Sequence, residues 1–252
     1  MTPSLGWPLL IALALLVTMA VAASRLGRVG IERDVVAAAL RAGAQLAGVA
    51  LIIGAVLGHR WASLVFAVAM FVVAVVTAGG RIDGRRHWPW IAVSIAAGVI
   101  PVLTVVFGTS SASFTGASIV AISGIIIGGT MTAMTLAGRR AFEVIRADRG
   151  QIEAALALGF ERPSAITLVI RRHAREAILP AMDQTRTVGL VTLPGAYVGV
   201  LLGGGSAGEA AAAQVLVLVG LLAAQTTAVA VAHRLIASTR LLPPDLDGTL
   251  PP

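Results

Sequence analysis

Apolar residues in this chain come in long blocks, and polar residues are largely confined to the connectors between them. The blocks fall at about 5–23, 35–57, 61–79, 89–107, 115–137, 178–202 and 211–232. A run of about 18 or more apolar residues is long enough to cross the hydrocarbon layer of a bilayer as a helix. No water is present in that layer to satisfy a free backbone N–H or C=O, so a span must be a helix or part of a closed barrel. The blocks are rich in Ala, Leu, Val and Ile and show no alternation of period two. The pattern therefore predicts an all-α polytopic membrane protein with about seven transmembrane helices. No basic stretch precedes the block that starts at Leu5, so it reads as a retained span rather than a removable leader.

One connector stands apart from the rest. Segment 139–176 is about forty residues long and carries eight arginines, against about three to eleven residues for the others. Connectors of that length usually carry function. Within it Ile145, Ile152, Leu156 and Leu158 punctuate polar positions at helical spacing up to Gly159. A second amphipathic stretch begins at Pro163, a favourable first helical position, and places Ile166, Val169 and Ile170 on one face. That stretch is expected to lie along the membrane surface before the chain turns into the sixth span. Past Leu242 the Pro-rich, acidic tail, 243–252, is expected to be disordered, leaving 1–242 as one membrane domain.

Composition agrees with the blocks. The chain is 57% hydrophobic and 12% charged, whereas a soluble domain is about a quarter charged. The net charge of +7 comes from 19 basic residues, all arginine. Their position in connectors makes the charge a matter of topology rather than of nucleic-acid binding. Four connectors hold Arg25, Arg28 and Arg33; Arg81, Arg85 and Arg86; the 139–176 segment; and Arg234 and Arg240, while the opposite connectors hold only Arg60. The arginine-rich side is thus expected to be cytoplasmic, with the N-terminus outside and the C-terminus inside. The absence of cysteine excludes disulfides and thiolate chemistry.

Candidate chemistry is sparse. A P-loop requires a lysine, and the chain has none, so ATP and its magnesium would have to be held by another subunit and no cofactor is expected here. Gly203, Gly205 and Gly208 match G-x-G-x-x-G, but without a preceding strand the match carries nothing. His59, His87, His173 and His233 sit at span ends or in connectors, with no metal-ligand spacing among them; no metal-binding residue is assigned. Nor does any arrangement of nucleophile and base at membrane depth point to an enzyme. Glu153-Ala154-Ala155 followed by Gly159 reproduces the E-A-A-x-x-x-G loop motif of bacterial ABC permeases. Small residues on a short helix closed by glycine suit docking into a groove of an ATPase, although Glu-Ala-Ala is a cheap match in an Ala-rich chain.

In the sixth span Asp183 and Arg186 are three residues apart and can pair, and Pro194-Gly195 should break the helix inside the membrane. Broken helices often line transport sites, though a structural kink with an ion pair explains the same residues. Gln45 lies deep in the second span. Met131 and Met134 follow the Gly128-Gly129-Thr130 interruption of the fifth, where thioethers suit soft metals and, more mundanely, packing. Gln45, Thr130, Met131, Met134, Asp183, Arg186, Pro194, Gly195 and Tyr197 make up the candidate transport pathway.

The order IERDVV…RAGAQL, GIIIGGTMTAM, QIEAALALGF and LPAMDQTRTVGLVTLPGAYVG resembles the FetB-like family of ABC permeases, which includes plant aluminium-tolerance permeases. The likeness runs from about Ile31 to Ile236, with Thr187–Gly195 its most specific part. It implies a homodimeric permease in a bacterial inner membrane, partnered by a separate ATPase and exporting iron, a related metal ion or a small solute. Two departures bear on the cargo: Gly129 stands where the family usually has Asn, and Ala196-Tyr197 where a Met pair is common. A second reading is an ATP-independent secondary transporter using Asp183 and Arg186.

Overall fold

The computed structural model describes residues 6–247. Its helices are α1 (Trp7–Leu26), α2 (Glu32–Gly58), α3 (Arg60–Arg81), α4 (Trp88–Gly108), α5 (Gly116–Ala147), α6 (Arg149–Ala157), α7 (Arg162–Ile170), α8 (Leu179–Thr187), α9 (Gly195–Leu202), α10 (Ala207–Ala237) and α11 (Pro244–Asp247). Among the described residues no strand forms beyond an isolated bridge between Val188 and Thr192. Six helices, α1 to α5 and α10, are long and apolar enough to cross a membrane. The all-α polytopic class stands. The sixth expected span, however, is not one helix: α8 and α9 are separated by seven irregular residues, 188–194.

The chain divides into two compact units, Met1–Val56 and Leu57–Pro252. In the first, Ser24 organises the connector between α1 and α2: its hydroxyl donates to the Glu32 carboxylate at 2.9 Å and accepts from the Ile31 N–H at 3.2 Å. No residue of α2 is buried.

In the second unit α5 and α10 pack against each other and carry α3, α4 and α9 around them. Small residues permit the close approach, as expected where helices associate without a hydrophobic drive. A β-carbon on Gly98 would overlap the Ala224 carbonyl, and one on Gly220 would stand 3.1 Å from Val102 Cγ1. Two helix starts, those of α5 and α10, are capped by sequence-local chemistry. The Thr115 hydroxyl accepts from the Ser118 N–H at 3.3 Å, and Ser206 and Glu209 form a reciprocal capping box.

α5 is longer than its hydropathy suggests. Its 32 residues span about 48 Å at 1.5 Å per residue, against about 30 Å of hydrocarbon. The long connector therefore begins as a continuation of α5 that carries Arg139, Arg140 and Arg146, and only from Asp148 does the chain turn. Beyond the apolar blocks, Ile145, Ile152, Ile166, Ile170, Ile236 and Leu241 are all fully buried and continue the core of the spans. This corrects the expected course of α7: Ile166, Val169 and Ile170 do share a face, but it turns into the protein against α5 and α10 rather than onto a membrane surface. Of the tail, residues 243–247 are described: Leu246 is buried against the core that Leu242 also joins, α11 forms, and Asp245 makes two hydrogen bonds with Arg146, at 2.7 and 3.1 Å. Residues 248–252 of the expected disordered tail lie outside the described residues.

Candidate functional site

Several of the predicted residues fall in two places, one at each end of the second unit. At the arginine-rich end, α6 buries Ile152 and Ala155 and leaves Glu153 and Ala154 exposed. Glu153 is held one turn from Arg149 by a 2.8 Å ion pair. The helix closes with a Schellman motif: the Gly159 N–H donates to the Leu156 carbonyl at 2.9 Å, and the Phe160 N–H to the Ala155 carbonyl at 3.1 Å. Gly159 takes φ +86°, a conformation in which a β-carbon is strained. On either side of it the chain presents Leu158, 80% exposed, and Phe160, 50% exposed. Glu153, Ala154 and Gly159 thus border an outward apolar tip, while Ala155 anchors the helix from beneath.

Beside this, a charged cluster ties the end of α5 to the segment leading into α8. Arg140 Nε lies 2.8 Å from Glu176 Oε2, and His173 Nδ1 lies 2.7 Å from Glu176 Oε1. The hydrogen bond from His173, with the positive charge of Arg140, holds the Glu176 carboxyl below the usual carboxylate range.

At the other end a cavity of about 600 Å³ opens between the first turns of α5, α9 and α10. Ser118 and Ile125 line it from α5, Gly195 and Gly199 from α9, and Val217 from α10. Pro194 precedes α9 in extended conformation, as the expected break requires. Yet the chain leaves helical geometry earlier, after Thr187, where Gly189 takes φ +80° and its N–H bonds the Thr192 carbonyl at 2.9 Å. The apolar linker between α8 and α9 is open, with Leu190 88% and Val191 77% exposed. Tyr197 sits in the first turn of α9, and its N–H, one of the donors a helix start leaves free, is taken by the Gln214 side-chain carbonyl at 3.2 Å.

The remaining predicted residues do not all converge on the cavity. Thr130 and Met134 are fully buried in α5, and Met131 is half-buried against the same core. Asp183 and Arg186 do pair, at 3.6 Å, but both are largely exposed on α8. Gln45 lies exposed along α2 in the first unit. Among the described residues no three of His, Asp and Glu come together as a metal ion would need. Two polar residues went unremarked in the sequence, Gln214 and Gln225, 4% and 6% exposed on α10. Their signal was available: eleven residues is about three helical turns, so two amides recur on one face of a long apolar helix.

The helices and their apolar faces define a multi-pass α-helical membrane protein. Comparison with protein families places it further: residues 7–241 match the model of UPF0014, an uncharacterised protein family, and the chain belongs to that family. It is similar to the UPF0014 membrane protein STAR2 of Oryza sativa subsp. japonica, 33% identical over 86% of this chain and 77% of the rice protein. It is also similar to the protein named "Probable iron export permease protein FetB" of Escherichia coli (strain K12), 29% identical over 77% of this chain and 76% of that protein. Protein ALUMINUM SENSITIVE 3 of Arabidopsis thaliana is 27% identical over 82% of this chain and 77% of its own. No solved structure matches.

Proposed function

We propose that this chain is the membrane-spanning subunit of an ABC transporter, working as two copies with a separate ATPase to export iron, a related metal ion or a small solute. The observation that carries this reading is the α6 tip. Leu158 and Phe160 stand exposed beyond a rigidly capped helix at the arginine-rich end, and exposed large apolar side chains grouped on a protein surface mark a docking site. The name of the relative from Escherichia coli supports the transport of iron; the cargo of this chain is taken over from that likeness. α6 follows α5 with only Asp148 between them, and α5 runs unbroken to the cavity wall at Ile125 and Ser118. Closure of the ATPase against α6 would tilt α5 as a lever, and transport is coupled when cargo binds the two resulting states differently.

The test is co-purification of the chain with a P-loop ATPase and measurement of ATP hydrolysis against candidate ions. Leu158→Asp with Phe160→Asp is expected to abolish co-purification while leaving the melting temperature unchanged, because both side chains are exposed. An unaltered complex in that double variant would refute the docking assignment, and hydrolysis indifferent to iron and related cations would remove the metal.

A further inference from the structure

α7 is two-sided, and only its inner side is used by the fold. Ala165 and Ile166, then Val169 and Ile170, are buried, and the helix packs against α5 and α10. Between and beyond them Pro163 and Ser164, Thr167 and Leu168, and then Arg171 and Arg172 are exposed. Residues four apart on a helix share a face, and these six line one open pocket of about 560 Å³. The two arginines begin the 3-10 helix Arg171–Ala177 that carries the outer face onward.

The pocket is cationic, and nothing in the fold neutralises it. The side chains of Arg171, Arg172 and, just past the pocket, Arg175 make no hydrogen bond or ion pair with the described residues. The nearby acid Glu176 is held by Arg140 and His173, and Glu161 stands before α7 without lining the pocket. Thr167 gives its hydroxyl to the Pro163 carbonyl at 2.7 Å, whereas that of Ser164 has no partner among the described residues. Guanidinium groups offer donors only, and two of them beside a hydroxyl suit the oxygens of a phosphate. Leu168, 48% exposed, adds an apolar side.

Contacts on both sides fix the level of these residues along the spans. Ala177 and Ile178 pack with Ala133 and Ala137 of α5 and Val229 of α10, all within the apolar blocks. Glu176 meets Arg140, just past the end of the α5 block. From Glu176 back to Arg171 are five residues of 3-10 helix, a rise of about 10 Å. The arginines of the pocket thus stand at the boundary between hydrocarbon and water, where basic side chains meet lipid headgroups. That level favours a lipid over a partner protein.

We propose that this pocket binds an anionic phospholipid, with Arg171 and Arg172 on its phosphate and Leu168 against the start of an acyl chain. The site goes beyond the transporter reading above and does not depend on it.

The test uses the purified full chain in neutral detergent, with retained lipid read by native mass spectrometry. Saturable retention of phosphatidylglycerol over phosphatidylcholine is expected. Glycerophosphoglycerol, the same headgroup without acyl chains, and inorganic phosphate should not compete with it. Arg171→Gln with Arg172→Gln should weaken binding about thirtyfold, at about fivefold per arginine. The melting temperature without lipid should not fall, since both side chains are exposed and unpaired. Arg171→Lys with Arg172→Lys keeps the charge and should recover most of the affinity. Arg25→Gln with Arg33→Gln removes the same charge from exposed positions of the first unit and should leave binding unchanged. Equal weakening by the two glutamine pairs would mean diffuse attraction to positive charge and would overturn the pocket. Competition by glycerophosphoglycerol or phosphate would make it a site for soluble anions and overturn the lipid. Intact lipid binding in Arg171→Gln with Arg172→Gln, together with loss of a co-purified P-loop ATPase, would assign the face to a protein and refute the proposal. Absence of any ATPase partner would sink the ABC reading without altering the lipid titration, so the two failures are distinguishable.

Discussion

Gly159 and Gly129 matter for opposite reasons, one for its backbone and one for its space. At φ +86° Gly159 holds the left-handed turn that ends α6, and a β-carbon there costs about 1–2 kcal/mol. Proline adds a fixed φ of the wrong sign and removes the N–H that bonds the Leu156 carbonyl. Gly159→Ala should therefore lower stability by about 1 kcal/mol and keep ATPase stimulation. Gly159→Pro should abolish stimulation while circular dichroism still reports a helical protein, and transport that persists in it would remove α6 from the coupling path. Gly129 has ordinary helical geometry, but a methyl there would overlap Leu221 Cδ1 and crowd Gln225. Gly129→Ala is expected to cost about 1–3 kcal/mol by overpacking, and Leu221→Ala in the same chain should recover part of it. A thermal melt of the two variants and the pair decides this. The motif that named Gly159 was legible in the sequence because capping is local. Gly129 was legible only as a departure, since its neighbours on α10 lie some ninety residues away in sequence and no periodicity announces a contact of that kind.

At the level of elements, hydropathy located the spans and misplaced their ends. Arg139 and Arg140 end the apolar block near residue 137, yet Ala141, Phe142 and Ile145 continue the buried helical face, so α5 does not stop there. Hydropathy reports what lipid can cover; helix ends are set by capping and packing. Packing past α10 shows the same limit: Leu241, Leu242 and Leu246 fill the core that the end of α5 also joins. Leu242→Ala should accordingly cost about 2–5 kcal/mol, readable as a lower melting temperature. The Arg146–Asp245 pair that accompanies it is about half exposed and contributes at most about 1 kcal/mol after screening. The hydrogen bond from Arg146 holds the Asp245 carboxyl below its ordinary range. A depressed carboxylate stabilises the fold above its unfolded pKa, about 3.9, and that contribution is lost as pH falls through the folded value. Protection of the Leu246 amide from hydrogen exchange should therefore be flat from neutral pH down to about 5 and weaken below about 4. Asp245→Asn should remove that acid dependence and leave most of the protection, which the buried leucines supply.

At the scale of the second unit, parity is argued from the broken helix, from the shared start of α5 and α10 at the cavity, and from the arginines. Six helices are long enough to cross, and α8 with α9 either completes a seventh crossing or enters and returns. Their nine and eight residues give about 26 Å of helix at 1.5 Å per residue, which with the extended linker reaches across about 30 Å of hydrocarbon. Arg139 to Arg175 precede the pair, and Arg234 and Arg240 lie at and just past the end of α10. Both groups can share one side only if α8–α9 crosses, since α10 itself crosses once. A re-entrant pair would instead put Arg234 and Arg240 on the side opposite the arginine-rich connector, against the tendency of arginine to stay cytoplasmic. Crossing also leaves the irregular residues 188–194 within the membrane, tolerable only where protein or a water-filled path covers them. Ala207→Cys and Ser238→Cys, both at exposed positions, test the parity in intact cells. The crossing pair predicts that an impermeant maleimide labels 207 from outside and reaches 238 only after the membrane is opened. Labelling of both from the same side would make α10's two ends equivalent and is excluded by its length, so the informative failure is the reversed pattern. Outside access at 238 with protection at 207 would mean that α8–α9 turns back, and the lever from α6 to the cavity would then have to be redrawn with both on one face of the membrane.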